Sequence, residues 1–260
     1  MTICCGGIYM SNLRNFLVIL LSIKEFFKFR PLSLIRRYIW FFSQLYHFRQ
    51  QSDNRMFQAI DFYPCLFDNL DHTPLEPTYF FQDTWASKKI FNLKPSHHYD
   101  IGSSAKTIGI LSQFVPITMV DIRPIELELE NLFFTRGSIL DLPFEDNSID
   151  SLSSLCVVEH IGLGRYGDPI DAFGSEKAAK ELQRVLAPGG NLYLSVPVDS
   201  ECRVYFNAHR AFTREYVLEI FPKLVLIEEK YHYGRELYEH YDSRKGFGTG
   251  LFHFRKVSKT

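Results

Sequence analysis

The chain has 260 residues, of which 46% are hydrophobic and 23% are charged, and its formal net charge is −1. This composition is ordinary for a globular protein and is sufficient for a real hydrophobic core. Because no global basic field exists, a nucleic acid is not an expected partner.

The five cysteines are Cys4, Cys5, Cys65, Cys156 and Cys202. Their number is odd, and none of their spacings is typical of a metal site, so we expect neither a disulfide framework nor a bound metal. A reduced, cytoplasmic compartment is the simplest interpretation.

The N-terminal fifth of the chain differs from the rest in charge. Residues 1–55 carry a net charge of +6 and the remaining residues −7. The charge-free run 15–23 is too short to cross ~30 Å of hydrocarbon. The next stretch, PLSLIRRYIWFFSQLYHFR, mixes arginine with tryptophan and phenylalanine, as interfacial helices do. Two interpretations stay open: packing on the main domain or a partner, or peripheral contact with a membrane surface.

Prolines divide the segment that follows. Pro64, Pro74 and Pro77 predict loops, and residues 82–92 predict a helix that leads into the main domain. We therefore divide the chain into a helical, basic and aromatic extension, residues 1–95, and a main domain, residues 96–260.

From His98 onward, short apolar runs alternate with helical patterns. Strands are expected at YDIG, ITMVDI, FFTRGSI, IDSLSSLCVVEH, NLYLSVPV, KLVLIEEKYHY and GLFHFRKV. Helices are expected at SAKTIGILSQF, IELELENL, SEKAAKELQRVLAPGG and TREYVLEIF. Such alternation predicts an α/β fold with a doubly wound, mostly parallel sheet. The last two strands lack a helix between them, which favours antiparallel pairing at the sheet edge.

The turn after the first strand has the features of a cofactor loop. Gly102 permits a tight bend, and the N–H groups of Ser103, Ser104 and Ala105 follow it. Asp121 comes about twenty residues later, at the end of the second strand, where an acid can accept hydrogen bonds from ribose hydroxyls.

Several motifs occur in the order seen in one family. DIGSS, VDIRP, GSILDLPFEDNSID, EHIGLG and ELQRVLAPGGNLYLSVP resemble those of class I S-adenosylmethionine-dependent methyltransferases, from about His98 to Pro197. The resemblance implies a seven-stranded Rossmann-like methyltransferase fold with S-adenosylmethionine as cofactor. EHIGLGRYGDP and FNAHRAFT further resemble a poorly characterised bacterial subgroup of methyltransferase-like proteins.

The resemblance assigns roles to individual positions. Asp100 and Gly102 would begin the loop that holds the methionine part of the cofactor, Asp121 would bind the ribose, and Ile122 would pack on the adenine. The remaining cofactor-side positions are Ser103 and Ser104 in the loop, Ser138 and Ile139 near the adenine, and Leu155 and Cys156 after the fourth strand.

The cofactor loop departs from the family pattern. Ser104 and Lys106 stand where the later glycines of that loop usually fall, and Ser138 replaces a frequent acid. A degenerate domain that binds no cofactor and serves as a scaffold is therefore an alternative. A nucleotide-sugar enzyme is a further rival, although the absent glycines count against a dinucleotide.

Two loops at the ligand edge of the sheet carry candidate substrate residues. His160 and His209 are candidate general bases, since histidine has a pKa suited to proton transfer near neutrality. Glu159, Arg165, Tyr166, Asn207 and Arg210 are candidate substrate-binding residues. The alternative for the histidines is a structural hydrogen bond, and for the arginines an ion pair with Asp168 or Glu215. The leading hypothesis is methyl transfer to a small-molecule, glycan or lipid-linked acceptor.

Overall fold

The computed structural model describes residues 31–51 and 62–257. Predictions on residues 1–30, 52–61 and 258–260, including the charge-free run 15–23 and the first two cysteines, lie outside the described residues. Contacts divide the chain into two compact units, residues 1–74 and 75–260.

The first unit contains one described helix, α1 (Pro31–Gln50). Arg37 fixes it to the following segment by donating to the carbonyl oxygen of Leu66 at 2.5 Å. The rings of Phe41 and Phe62 meet edge to face with centroids 5.9 Å apart. Within the described ranges, no helix combines the length and the apolar character that crossing a membrane requires.

The second unit is built on an α/β sheet. Its strands are β1 (His98–Ile101), β2 (Ile117–Asp121), β3 (Leu132–Arg136), β4 (Ile149–Leu155), β5 (Leu186–Val198), β6 (Arg203–Tyr205), β7 (His209–Ala211), β8 (Leu224–Tyr233), β9 (Glu236–Tyr238) and β10 (Gly248–Lys256). Its helices are α2 (Pro77–Leu93), α3 (Ala105–Leu111), α4 (Gly174–Val185) and α5 (Arg214–Ile220), with 3₁₀ turns at Val158–His160 and Ser243–Lys245.

The strand order of the main sheet is β3-β2-β1-β4-β5-β10-β8-β9. The first five strands of this order are parallel. β10 runs antiparallel to both of its neighbours, β5 and β8. This architecture confirms the predicted doubly wound, mostly parallel sheet. The sheet contains the seven predicted strands and one more, the short β9. The two strands expected to pair antiparallel, β8 and β10, do so, but this pair does not form the edge because β9 follows β8.

Two apolar cores cover the two faces of the sheet. Alternate residues of β5 point to opposite faces, so Leu192 and Leu194 join the core beneath α4, whereas Tyr193 joins the core beneath α2 and α3. Ala178 and Leu182 of α4 are fully buried in the first core. Trp85 and Ile90 of α2 are buried in the second.

The compact unit begins earlier than the predicted residue 96. α2 starts at Pro77, since proline is favoured in the first turn of a helix, and the Glu76 side chain caps it by accepting from Thr78 N at 3.1 Å. Because α2 packs its buried face on the sheet, the unit includes residues from Leu75 onward.

The prediction of a short helix at IELELENL was wrong. Residues 124–128 carry no helix, and the segment leads directly into β3. Glutamate and leucine alternate there with period two, which suits an extended chain, and Leu127 is exposed rather than packed on one helical face.

Candidate functional site

A cavity of about 590 Å³ opens at the carboxyl ends of the parallel strands. Doubly wound sheets bind ligands at this edge, and the volume is within the range of small-molecule sites. It is lined by eight of the residues singled out from the sequence: Gly102, Asp121, Ile122, Ser138, Ile139, Cys156, His160 and Tyr166.

Gly102 forms the turn that closes β1. Its φ of +71° is in the left-handed region, and a Cβ atom there would stand 3.1 Å from the side chain of Val157. The Gly102 N–H donates to the carbonyl oxygen of Val120 at 2.9 Å, which ties the turn to β2. A larger residue at this position would therefore both strain the backbone and narrow the cavity.

Asp100 and Ser103 support this turn from inside. Asp100 is fully buried and accepts hydrogen bonds from Ser103 N at 3.0 Å and Ser103 Oγ at 2.6 Å. Burial raises the pKa of Asp100 to about 6, although the hydrogen bonds from Ser103 and Ser153 oppose this shift. Neither Asp100 nor Ser103 lines the cavity, so their visible role is to shape the loop.

The two residues that depart from the family pattern do not fill the cavity. Neither Ser104 nor Lys106 lines it, and the Lys106 side chain is exposed. Ser104 precedes α3 in an extended conformation without a side-chain capping bond.

Asp121 stands at the end of β2 with a partner that the sequence reasoning missed. Its carboxylate accepts from the backbone N of Arg123 at 2.8 Å and from the guanidinium at 3.2 Å through both Nε and Nη2. The same guanidinium lies 4.7 Å from the ring centroid of Tyr166. The predicted ribose acid is thus part of a row formed by Asp121, Arg123 and Tyr166.

The wall opposite the glycine turn comes from the loop after β3. Ser138 accepts from Leu140 N at 3.2 Å, and Ile139 is almost fully buried. Gly137 N donates to the Asp121 carbonyl oxygen at 3.2 Å, and a Cβ at Gly137 would lie 2.9 Å from Val120. Arg136, which the sequence analysis also missed, lines this end of the cavity.

Leu155 and Cys156 end β4 but have different surroundings. Leu155 is buried in the core beneath α2 and does not line the cavity, whereas Cys156 does. Burial raises the pKa of the Cys156 thiol, and the nearby Glu159 raises it further. The thiol is therefore protonated near neutral pH and serves as a small apolar wall.

Glu159 is a buried carboxyl group with little compensation. Only 1% of the residue is exposed, and its Oε2 atom has no hydrogen-bond partner among the described residues. Burial raises its pKa to about 8, so the group is mostly protonated at neutral pH. Its Oε1 atom lies 3.7 Å from Nε2 of His160.

The two candidate bases have different hydrogen bonding. His160 Nδ1 donates to the Ala208 carbonyl oxygen at 2.6 Å, which leaves the lone pair on Nε2. Within the described part of the chain, no side-chain hydrogen bond engages the His209 ring, which contacts Tyr205, Phe247 and His160 instead. Burial lowers the pKa of His160 to about 4 and also lowers that of His209. Both rings are therefore neutral near pH 7.

The predicted substrate arginines occupy distinct positions. Arg210 is buried and donates to the carbonyl oxygens of Ile161, Asp171 and Ala172, so it holds the loop before α4 against β7 and does not line the cavity. Arg165 is exposed, lies 5.1 Å from the ring centroid of Tyr166, and donates to the Ala208 carbonyl oxygen at 3.0 Å. Neither arginine pairs with Asp168 or Glu215.

Two other residues, Asn207 and Tyr79, do not line the cavity. Asn207 is exposed at the tip of the β6–β7 hairpin, outside the cavity lining. Tyr79, assigned from the sequence to the N-terminal extension, belongs to α2. Burial raises the pKa of the Tyr79 phenol, and Cys156 adds to the shift, which places the phenol near this edge.

Among the residues that the structure describes, no group of three His, Cys, Asp or Glu side chains is arranged to hold a metal ion. The expectation from the sequence that the protein binds no metal stays a prediction. The site consists of a glycine turn, a carboxylate, apolar walls and an edge that carries His160.

Comparison with protein families gives one partial match. Residues 141–221 match a family described as Caenorhabditis protein of unknown function, DUF268. This segment includes both candidate histidines but neither Gly102 nor Asp121. No curated protein matches the chain. The predicted bacterial subgroup is thus unconfirmed.

Solved structures with a similar fold include several methyltransferases. The N-methyltransferase NodS from Bradyrhizobium japonicum in complex with S-adenosylhomocysteine is 19% identical, with a TM-score of 0.51, over 74% of this chain and 91% of that one. The 1,6-didemethyltoxoflavin-N1-methyltransferase from Burkholderia thailandensis is 15% identical, with a TM-score of 0.51, over 73% and 94%. The [4+2]-cyclase SpnF is 13% identical, with a TM-score of 0.51, over 68% and 82%. These likenesses establish a class I methyltransferase-like fold.

Proposed function

We propose that this protein is an S-adenosylmethionine-dependent methyltransferase. The observation that carries the proposal is the cavity of about 590 Å³ at the carboxyl ends of β1, β2 and β4. There Gly102, Asp121, Ile122, Ser138, Ile139 and Cys156 meet, although they are spread over 55 positions of the sequence. The family resemblance assigns these residues to the methionine, ribose and adenine parts of the cofactor, with Cys156 at its border.

The residues present fit this cofactor. The space beside Gly102 exists because no Cβ atom fills it, and the Gly137 position is similarly restricted to glycine by Val120. Asp121 would accept hydrogen bonds from the ribose hydroxyls. Its carboxylate would either keep the hydrogen bonds from Arg123 at the same time or lose them when the ribose binds. Ile122 and Ile139 would offer apolar surface to the adenine.

When bound, the cofactor supplies an electrophilic methyl group. The protein then has to align the acceptor and, for a hydroxyl or amine acceptor, remove a proton. His209 suits this role because its ring nitrogens have no hydrogen-bond partner among the described side chains. His160 would orient the acceptor loop through its bond to Ala208, with its Nε2 lone pair as a second proton-accepting position.

Residues of the loop 161–173 line one part of the cavity, and His160 links that part to the β6–β7 hairpin through its hydrogen bond to Ala208. We propose that this part of the cavity receives a small-molecule, glycan or lipid-linked acceptor. Peripheral contact of α1 with a membrane would bring the protein to the surface that holds a lipid-linked acceptor. The exposed apolar residues of that helix support this proposal.

A degenerate, non-catalytic domain is the second candidate. It is favoured by Ser104 and Lys106 at family glycine positions and by the Asp121–Arg123 ion pair, which engages the ribose acid. If the domain is degenerate, changing Ser104 and Lys106 to glycine should create S-adenosylhomocysteine binding. In a working enzyme the same double change should leave affinity unchanged or lower it.

Titration calorimetry with S-adenosylhomocysteine tests cofactor binding. We expect wild-type protein to bind and Asp121→Asn to bind about tenfold or more weakly, because a carboxylate accepts stronger hydrogen bonds than an amide. Asp150→Asn is the matched control, since Asp150 is exposed at the start of β4, at the opposite edge of the sheet. No heat at millimolar ligand with folded wild-type protein would refute the proposal.

A further inference from the structure

An aromatic cluster, which we call the ring cluster, adjoins the candidate cofactor cavity. It consists of Tyr205, His209 and Phe247 from three separate segments. Ring centroids lie 5.0 Å apart for Tyr205–His209, 5.5 Å for His209–Phe247 and 6.2 Å for Tyr205–Phe247. These separations are typical of interacting aromatic rings.

His160 and Tyr166 connect the ring cluster to the cavity. The centroid of the His160 ring lies 6.5 Å from that of His209 and 5.5 Å from that of Tyr166. His160 and Tyr166 both line the cavity. A compound held on the ring cluster would therefore be next to the cavity in which the cofactor is proposed to bind.

The ring cluster is not a closed core. Phe247 is 49% exposed, and Tyr205 and His209 are half-buried, whereas aromatic residues of the two sheet cores, such as Tyr193 and Phe252, are at most 1% exposed. Aromatic faces are thus left accessible at one edge of the molecule, where a planar ligand can stack on them.

A cation borders this accessible aromatic surface. The Arg165 guanidinium lies beside the Tyr166 ring and shares the Ala208 carbonyl oxygen with His160. Among the described residues it forms no ion pair with a carboxylate within 4.0 Å. Its charge reaches the cluster, because it contributes to the lowered pKa values of both His160 and His209. A guanidinium has the planar geometry that pairs with a carboxylate.

We infer that the ring cluster and Arg165 together bind a small planar aromatic acid. The aromatic ring of the ligand stacks on the exposed Phe247 ring and meets the perpendicular Tyr205 ring edge to face, and its carboxylate pairs with Arg165. If the proposed methyl transfer is correct, such an acid is the acceptor class, so this part of the inference rests on the proposed function. The inference that this site binds a planar aromatic acid does not depend on the proposed function.

Binding of benzoate to the full-length protein, measured by ligand-observed NMR titration, tests the inference. We expect benzoate to bind more tightly than cyclohexanecarboxylate, which lacks the aromatic ring, and than benzamide, which lacks the charge. Equal binding of the three compounds, or preferential binding of methyl glucoside, would overturn the inference.

Variants identify the site. Arg165→Gln should weaken benzoate binding about tenfold, as expected for loss of one charge-assisted hydrogen-bonded pair, and Arg165→Lys should retain part of the affinity. Arg255→Gln is the matched control. Arg255 pairs with Asn191 near the amino end of β5, whereas the cavity lies at the carboxyl ends of the parallel strands. Phe247→Leu should remove the preference for benzoate over cyclohexanecarboxylate, whereas Phe133→Leu, at an exposed position of β3, should not.

Parallel titration with S-adenosylhomocysteine separates the two proposals. Benzoate binding without cofactor binding would refute the methyltransferase proposal and leave the aromatic-acid site standing. Cofactor binding with no benzoate binding, in the presence or absence of S-adenosylhomocysteine, would overturn the inference alone. Thermal melts followed by circular dichroism confirm that each variant is folded.

Discussion

At the scale of single residues, Gly102 controls both the backbone turn and the space beside it. Gly102→Ala should lower the free energy of unfolding by about 2–3 kcal/mol. The left-handed conformation costs an L-residue about 1–2 kcal/mol, and the new Cβ atom would press on Val157. Urea denaturation measures this loss.

Gly234→Ala is the matched control for that change. Gly234 also has a positive φ, +61°, but a Cβ atom there would meet nothing within 4 Å. It should therefore show only the conformational cost of about 1–2 kcal/mol. Equal losses for the two variants would mean that Val157 yields freely and that the space beside Gly102 is not tightly bounded.

Glu159 should give the protein a characteristic pH dependence. Its folded pKa of about 8 is above the usual value of 4.5, so the unfolded chain releases this proton first as the pH rises. Ionisation of the unfolded chain therefore lowers stability progressively between about pH 4.5 and pH 8, and below pH 4.5, where the group is protonated in both states, this contribution vanishes. Glu159→Gln should remove a penalty on the order of 3 kcal/mol at pH 7 and change little at pH 4.

Chemical denaturation of wild type and Glu159→Gln across pH 4–8 measures the difference. Glu176→Gln is a useful control, because Oε2 of Glu176 also has no hydrogen-bond partner among the described residues, but its carboxylate accepts a hydrogen bond from Tyr216 Oη at 2.5 Å. A stability difference between wild type and Glu159→Gln that stays constant with pH would show that Glu159 titrates normally in the folded protein.

At the scale of secondary-structure elements, α2 is part of the sheet domain rather than a separate extension. Trp85 is buried beneath it, meets the Tyr193 ring edge to face at 6.1 Å, and donates from Nε1 to Glu228 at 3.3 Å. Trp85→Ala should cost about 3–5 kcal/mol of unfolding free energy. Phe80→Ala, on the exposed side of the same helix, should cost much less, as measured by thermal unfolding. Similar losses for both would contradict the packing of α2 on the sheet.

The elements show which features a sequence can predict. The helix at 174–185 and the buried strands were predictable because their apolar periodicity is strong and they form the core. The segment at 125–132 is harder to predict, because leucine and glutamate both favour helices whereas their alternation has the period of an extended chain. The sequence alone does not show that α2 packs on the sheet, because its buried face is short and its partner Tyr193 lies 108 positions after Trp85.

The candidate site was predictable only in part, for a related reason. Gly102 and Asp121 carry local signals, a turn residue and an acid at the end of a strand. Arg123 was visible in the same motif, yet its ion pair with Asp121 depends on side-chain direction. Phe247 meets His209 only because β10 returns between β5 and β8, a pairing that local sequence does not specify.

At the scale of the whole molecule, charge and apolar surface are unevenly distributed. The acidic remainder of the chain contains the sheet domain, and the basic N-terminal segment contains α1. Along α1, exposed apolar side chains recur at intervals of three and four residues: Leu32, Ile35, Ile39, Phe42 and Tyr46. This spacing forms a continuous apolar stripe on a helix, with the exposed Arg36 next to it.

The apolar stripe should hold the protein on anionic membranes. In liposome flotation, the full-length protein should rise with vesicles that contain phosphatidylserine and less with neutral vesicles, because basic residues near the surface add about 1 kcal/mol each. Ile39→Glu combined with Phe42→Glu should abolish flotation by placing charge within the apolar stripe. Val225→Glu combined with Ile227→Glu is the control, since both side chains are exposed on β8 of the sheet domain. If the α1 variant floats as well as wild type, the stripe serves packing or a protein partner, and the acceptor has to reach the ring cluster from solution.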